Sequence, residues 1–317
     1  MGYGITIPFD GIPLSDHQSW LTELADLGYS DVWSAEADGA DAFTPLALAS
    51  AWAPGLRLGT AIVPVFTRGP ALIAQSAAAL AEAAPGRFAL GIGTSSDVIV
   101  ERWNGTPFEE PYRKTRDMIR FLRHALAGEK IDEKFDTFQV RGFRLNRPPQ
   151  VAPPILVAAL RPGMLRLASS EADGAITNWL SASDVPKVAA ELGEGKELVA
   201  RVFAFPSEDT ATVRAIGKRM IAAYLNVPVY AAFHEWLGRG PQLEAMWAAW
   251  KAGDRKAALD LIPDALVDEL VLHGPASSVR RQVQAYFDAG VSTVTLAVMS
   301  VGIDLRNAIR DLAPAAG

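Results

Sequence analysis

Strand-like and helix-like segments alternate along nearly the whole chain, and that rhythm is what most limits the folds open to it. Candidate strands occur at 3–7, 30–34, 58–63, 88–91, 155–159, 174–177, 199–204 and 293–298. Nearly all are followed by a helical stretch, as at 43–51, 71–83, 112–127, 164–170, 184–192 and 210–225. Such alternation means parallel strands joined by right-handed crossovers. Eight units favour closure into an α/β TIM (β/α)8 barrel over an open sheet. The chain has 317 residues, more than the ~250 typical of one barrel, so a single domain over 1–317 with insertions is expected. Two segments break the rhythm. Residues 129–147 read as an inserted hairpin. Residues 226–262 read as a helical insertion rich in aromatics (Tyr230, Phe233, Trp236, Trp247, Trp250), whose ordinary role is packing, within or between subunits.

Local chemistry sharpens the boundaries. Ser15 with Gln18 three residues on reads as a capping box, and Trp20, Leu21, Leu24 and Leu27 form an apolar stripe that Gly28 ends. In the stretch 56–70, a buried strand should end by about Val63, because Pro64 cannot donate to a sheet ladder. Pro70 suits the first position of the next helix. A strand, a long turn and a helix form one barrel unit, and barrels keep their chemistry in such turns.

Composition removes several function classes. Half the residues are hydrophobic and 21% are charged, as in a globular protein with a large core. No cysteine is present, which excludes disulfides, thiolate metal sites and cysteine nucleophiles. A net charge of −6 argues against nucleic-acid and anionic-membrane partners. No basic region precedes the first apolar residues, and no apolar run reaches the ~20 residues needed to span a bilayer. A cytoplasmic enzyme with a small-molecule substrate is expected, most simply as a homodimer. His17, His124, His234 and His273 show no metal-ligand spacing, so no metal is expected. No G-x-S-x-G elbow occurs.

Three places at predicted strand ends carry candidate chemistry. Gly91-Ile92-Gly93-Thr94-Ser95-Ser96 follows a strand, but Ser96 stands where a dinucleotide fingerprint needs its third glycine, and a long loop follows instead of a helix. In a barrel these glycines would instead admit a flat ring, or simply form a tight turn. Ala159-Leu160-Arg161-Pro162-Gly163-Met164 joins a strand to a helix. The amides of Gly163 and Met164, with the helix dipole and Arg161, would hold a phosphate; an ordinary helix start is the alternative. Glu36 lies just past the second strand, either as an acid/base group or as a solvated loop acid.

These pieces, in this order, resemble the bacterial luciferase-like family, in particular its branch using the deazaflavin coenzyme F420. The resemblance is strongest over 29–93, 153–179 and 274–297, and includes Asn104-Gly105-Thr106-Pro107-Phe108. It implies a barrel with insertions and a cofactor at the carboxyl face. It also implies a non-proline cis peptide at Ala61–Ile62, a bulge behind the ring. Gly91, Gly93 and Thr94 would touch the ring, residues 160–164 would hold phosphate, and Thr177 and Asn178 would line the ring pocket. Arg166, with Arg161, would help the anionic tail. Relatives that oxidise a sugar phosphate carry an aspartate–histidine pair after the second strand and a glutamate after the fourth. Here those places hold Glu36-Ala37 and Thr94. The departure points from alcohol oxidation toward reduction of an activated C=C or C=N bond, with solvent or Glu36 supplying the proton. An FMN-dependent monooxygenase and a catalytically silent cofactor-binding barrel are the alternatives.

Overall fold

The computed structural model describes residues 1–314. Its strands, in chain order, are β1 (Gly2–Ile7), β2 (Asp31–Ser34), β3 (Arg57–Thr60), a two-residue continuation β4 (Val63–Pro64), and β5 (Phe88–Gly93). There follow β6 (Ile131–Lys134), β7 (Gln139–Phe143), β8 (Ile155–Ala158), β9 (Gly174–Asn178), β10 (Glu197–Phe205), β11 (Val271–His273) and β12 (Thr293–Val298). Pairing runs β1–β2–β3–β5–β8–β9–β10–β12 and returns to β1, always parallel. This is the closed eight-stranded barrel that the alternation predicts. The ninth parallel piece, β11, is not anticipated by the sequence reading; it extends the outer end of β10.

Helices α1 (His17–Asp26), α2 (Phe43–Trp52), α3 (Pro70–Ala83), α4 (Pro111–Leu126), α5 (Pro162–Glu171) and α6 (Val185–Leu192) cover the first six units. After β10 the chain forms α7 (Thr210–Leu225), α8 (Pro228–Leu237), α9 (Gly240–Lys251), α10 (Arg255–Asp260) and α11 (Asp264–Leu270). Then come α12 (Ala276–Asp288) and, after β12, α13 (Leu305–Asp311). Small residues on α3 (Ala74, Ala77, Ala78, Ala81) are buried and let neighbouring helices approach closely. The inserted helices have their own core, in which Leu225, Leu243, Met246 and Val267 pack with Phe203 and Phe205 of β10.

Strand alternation divides each strand between two cores. Trp33, Ala89, Leu156, Ile176 and Val199 fill the barrel interior. The Trp33 indole takes the space above Gly59, where an added Cβ would lie 2.2 Å from the ring. At the amino-terminal end Arg57 forms a two-pronged pair with Glu197 (2.6 and 2.8 Å) beside buried Asp31. Burial pushes the Asp31 carboxyl up. Polar groups at this end close the barrel floor.

Several local expectations change. Ser15 does not cap α1: its hydroxyl bonds Asp16, and a 3-10 turn (Leu14–Asp16) precedes the helix. Competition from the neighbouring carboxylate explains the lost capping box. The third strand breaks at Ala61–Ile62 rather than at Pro64. Pro64 instead pairs with Gly93, and the next amide, Val65, donates to the Gly93 carbonyl (2.9 Å), so the missing N–H is tolerated. In the hairpin, Phe135 and Phe138 lie in the turn between β6 and β7. Both pack on Phe121 of α4, at 6.3 and 6.1 Å between rings.

Candidate active site

Glu36, Ala61, Gly93, Leu160 and Thr177 lie at the carboxyl ends of five successive barrel strands, around one mouth. Two open surface hollows lie at the opposite, amino-terminal end. One is bordered by Gly193–Lys196 and Gly290, the other by Asp31, Arg57 and Glu197. The second is lined by the ion-paired groups that close the floor.

The second and third strand ends are tied together. The Ala61–Ile62 bond is cis. Ala61 N–H donates to the Ser34 carbonyl (2.7 Å), and Glu36 N–H donates to the Ile62 carbonyl (3.1 Å). Glu36 does not stand free: Arg68 Nε reaches both of its oxygens at 3.0 Å, and Arg68 Nη2 reaches Oε2 at 2.7 Å. The amide of Ala42 donates to the same carboxylate (3.2 Å). Hydrogen bonds donated to Glu36, with the charges of Glu36 and Asp41, hold the Arg68 guanidinium above its usual range. Glu36 thus clasps two mouth loops, and both its oxygens are occupied as acceptors.

Gly91 and Gly93 answer first to packing. A Cβ on Gly91 would lie 1.9 Å from the Thr60 carbonyl oxygen and 2.5 Å from Ile176 Cδ1. One on Gly93 would lie 2.7 Å from Ala158 Cβ and 3.1 Å from Ile62 Cγ1. The Thr60 hydroxyl donates to the Gly91 carbonyl (2.8 Å) and accepts from its amide (2.7 Å), replacing the ladder where β3 breaks off. Past the strand, Thr94 Oγ1 reaches the Ser95 carbonyl at 3.3 Å, and Ser95 is left-handed with φ 62°. Only a few per cent of non-glycine residues adopt that conformation, and they gather at functional loops.

The fifth unit presents a helix N-terminus. Arg161 is the extended N-cap of α5 with Pro162 at its first position. Leu165 is the first amide bonded back, to the Arg161 carbonyl (3.0 Å), which leaves the Gly163 and Met164 amides of the first turn without intrahelical partners. An added Cβ at Gly163 would meet nothing within 4 Å, so the approach is open. Arg161 is exposed. Arg166 faces away and pairs with Glu191 (2.9 Å), so it offers no help to an anionic tail. Ala159 packs into the core between sheet and helices, and Leu160 lies partly buried against it; both bring backbone to the mouth.

Alternation separates the ninth-strand pair. Ile176 belongs to the barrel interior and Ala175 to the outer core, so Thr177 turns outward and Asn178 inward. The Asn178 Oδ1 accepts from the Tyr230 hydroxyl of α8 at 3.0 Å. Burial pushes that phenol up to about 12, so it stays a donor. Tyr230, whose expected role is packing, thus also fixes an inward-facing amide. Arg201 is not among the sequence candidates. The visible signal was one charged residue inside the apolar strand Val-Ala-Arg-Val-Phe-Ala-Phe.

A phosphate-bearing ring cofactor fits this donor set: unpartnered first-turn amides and a free arginine on one side, an inward amide on the other. A family model described as luciferase-like monooxygenase matches residues 1–293. The chain belongs to that family. Among relatives of this luciferase-like barrel, a protein of Mycobacterium tuberculosis is 27% identical, covering 99% of this chain and 98% of that one. Its name assigns it provisionally to the coenzyme F420-dependent oxidoreductases. The 5,10-methylenetetrahydromethanopterin reductase of Methanolobus tindarius is 24% identical, covering 98% of each. In fold, the barrel matches the coenzyme F420-dependent tetrahydromethanopterin reductase of Methanopyrus kandleri with a TM-score of 0.81 at 18% identity, covering 99% of this chain and 97% of that one. No helix among the described residues is long and apolar enough to cross a membrane.

Proposed function

We propose that this luciferase-like barrel is a coenzyme F420-dependent oxidoreductase that reduces an activated C=C or C=N bond of a small organic substrate. The observation that carries the reading is the unpartnered anion clamp at the head of α5, on the same mouth as the interrupted third strand. A relative provisionally named for F420, matched over 99% of this chain, supports it. When bound, the deazaflavin supplies a hydride and does not hand electrons readily to oxygen.

In this reading Arg161 and the amides of Gly163 and Met164 hold the cofactor phosphate. Ala61 and Ile62 back the ring on one side, and Gly93 and Thr94 border it. Asn178, fixed by Tyr230, offers its amide N–H groups to the mouth. Glu36 positions the loops through Arg68. The proton that accompanies hydride comes from solvent, since both Glu36 oxygens already accept hydrogen bonds. Ala37 and Thr94 supply no acid or base, which favours reduction over alcohol oxidation. The protein works in the cytoplasm, as a homodimer.

The same clamp would hold the phosphate of FMN, so a monooxygenase with a separate reductase is the second reading. Mixing the protein with reduced F420 and a panel of enones and imines tests the proposal. Acceptor-dependent recovery of the oxidised coenzyme's absorbance is expected. No recovery with any acceptor, despite tight coenzyme binding, would reduce the protein to a silent cofactor-binding barrel.

A further inference from the structure

We propose that Arg201, with Asn178 beside it, forms an anion subsite that takes the carboxylate of the substrate. This deepens the reading above and rests on it only for the location of the substrate at the mouth.

Arg201 lies on β10 two residues beyond Val199, which belongs to the barrel interior. Alternation therefore turns it inward, toward the carboxyl end of the barrel. It is level with Asn178 of β9 and Thr295 of β12. Its Nε is shut off from solvent and has no hydrogen-bond partner, while the residue as a whole keeps partial exposure. The hydroxyls of Thr295 on adjoining β12 and of Thr6 on β1, the strand beyond it, are likewise buried without partners. Three other arginines with little exposure are paired with carboxylates: Arg57 with Glu197, Arg68 with Glu36, Arg239 with Asp184. For Arg201 no ion pair is present among the described residues. Its carboxylate influence is the longer-range field of exposed Asp10.

An arginine cannot shed its proton to escape burial as a lysine can. A partly desolvated guanidinium without a carboxylate partner costs folding stability, and such costs persist where a ligand makes them useful. The shape of the surroundings selects the ligand. The guanidinium carbon stands 4.7 Å from the Phe203 ring centre. Phe203 in turn packs on Trp179 (4.6 Å) and Tyr224 (6.4 Å). The Tyr230 hydroxyl occupies Asn178 Oδ1, so the Asn178 amide nitrogen is the end left to donate. A planar fork and an amide donor, set against an aromatic wall, suit a planar monoanion on an apolar body. A sugar phosphate would bring two charges to one cation and hydroxyls to an aromatic wall.

The test uses benzoate as probe and benzamide as its neutral match, titrated calorimetrically into the full chain with and without F420. Benzoate is expected to bind at least tenfold tighter than benzamide. Arg201→Met should lose at least tenfold in benzoate affinity, change F420 affinity less than twofold, and raise the Tm of the unliganded protein. Arg201→Lys should recover part of the benzoate binding. Equal binding of benzoate and benzamide by the unaltered protein would overturn the proposal without any variant. So would benzoate binding undiminished in Arg201→Met, or a lowered Tm in that variant, which marks a structural arginine. If Arg201-dependent benzoate binding is found but F420 does not bind, the cofactor reading fails and the subsite stands.

Discussion

At the residue scale, charge partners decide what each mouth side chain can do. Arg161 has a helix N-terminus behind it and no carboxylate partner among the described residues, so its charge is available to a ligand. Arg161→Ala should weaken F420 binding by about 10–100-fold, the ~1.5–3 kcal/mol of a charge-assisted hydrogen bond. Fluorescence-quenching titration reads it, and an unchanged dissociation constant would return Arg161 to the surface. Glu36 is the opposite case, since Arg68 already holds it. Glu36→Gln should cost about 1–2 kcal/mol of stability in urea unfolding and leave the shape of the pH–rate profile unchanged. Loss of an acid limb in that profile would make Glu36 the proton donor after all. The sequence placed Glu36, Gly93 and Arg161 at the mouth because strand ends are readable from breakers and caps, whereas Ala61 rested on the family resemblance alone. It did not reveal the Arg68 clasp, which joins positions 32 residues apart. Nor did it show that Gly91 is demanded by the Thr60 carbonyl.

At the scale of elements, the barrel was legible because eight apolar strands alternate with helices, and periodicity survives local errors. The helices between α7 and β11 were legible only as an aromatic-rich insertion. Their attachment was not, because besides the shared apolar core it includes a buried polar knot between residues far apart in sequence. Arg239 Nη1 donates to Asp184 (2.9 Å), Arg239 Nη2 to Ser181 Oγ (3.0 Å), and Ser181 N–H donates to Asp184 (2.7 Å). Beside this knot lies His234 of α8, fully buried, with neither ring nitrogen hydrogen-bonded. Burial, and then the nearby Arg239 charge, push it down to about 4. An unfolded chain would protonate this ring near 6.5, so between that pH and about 4 the unfolded state holds the extra proton. Stability should therefore fall as the pH drops through this window, by up to about 3 kcal/mol. Urea melts of His234→Gln should show a flatter acid limb than the unaltered protein. Identical limbs would mean that carboxylates, not His234, govern the acid response.

At the scale of the whole molecule, the account is a closed luciferase-like barrel whose floor is sealed by ion pairs and whose mouth gathers the unsatisfied donors. Stability features collect at one end and ligand-directed features at the other, as barrel geometry allows. Sedimentation should give a homodimer if the expected assembly holds. The choice of cofactor decides the function. F420 carries lactyl and glutamyl carboxylates beyond its phosphate, which suits the open approach at Gly163 and the free Arg161. Titration of the full chain with F420 and with FMN at equal salt is the direct measurement. F420 should bind at least tenfold tighter, a difference of ~1.4 kcal/mol, and its reduced form should not consume oxygen. Tighter binding of FMN, with oxygen uptake on reduction, would contradict the account.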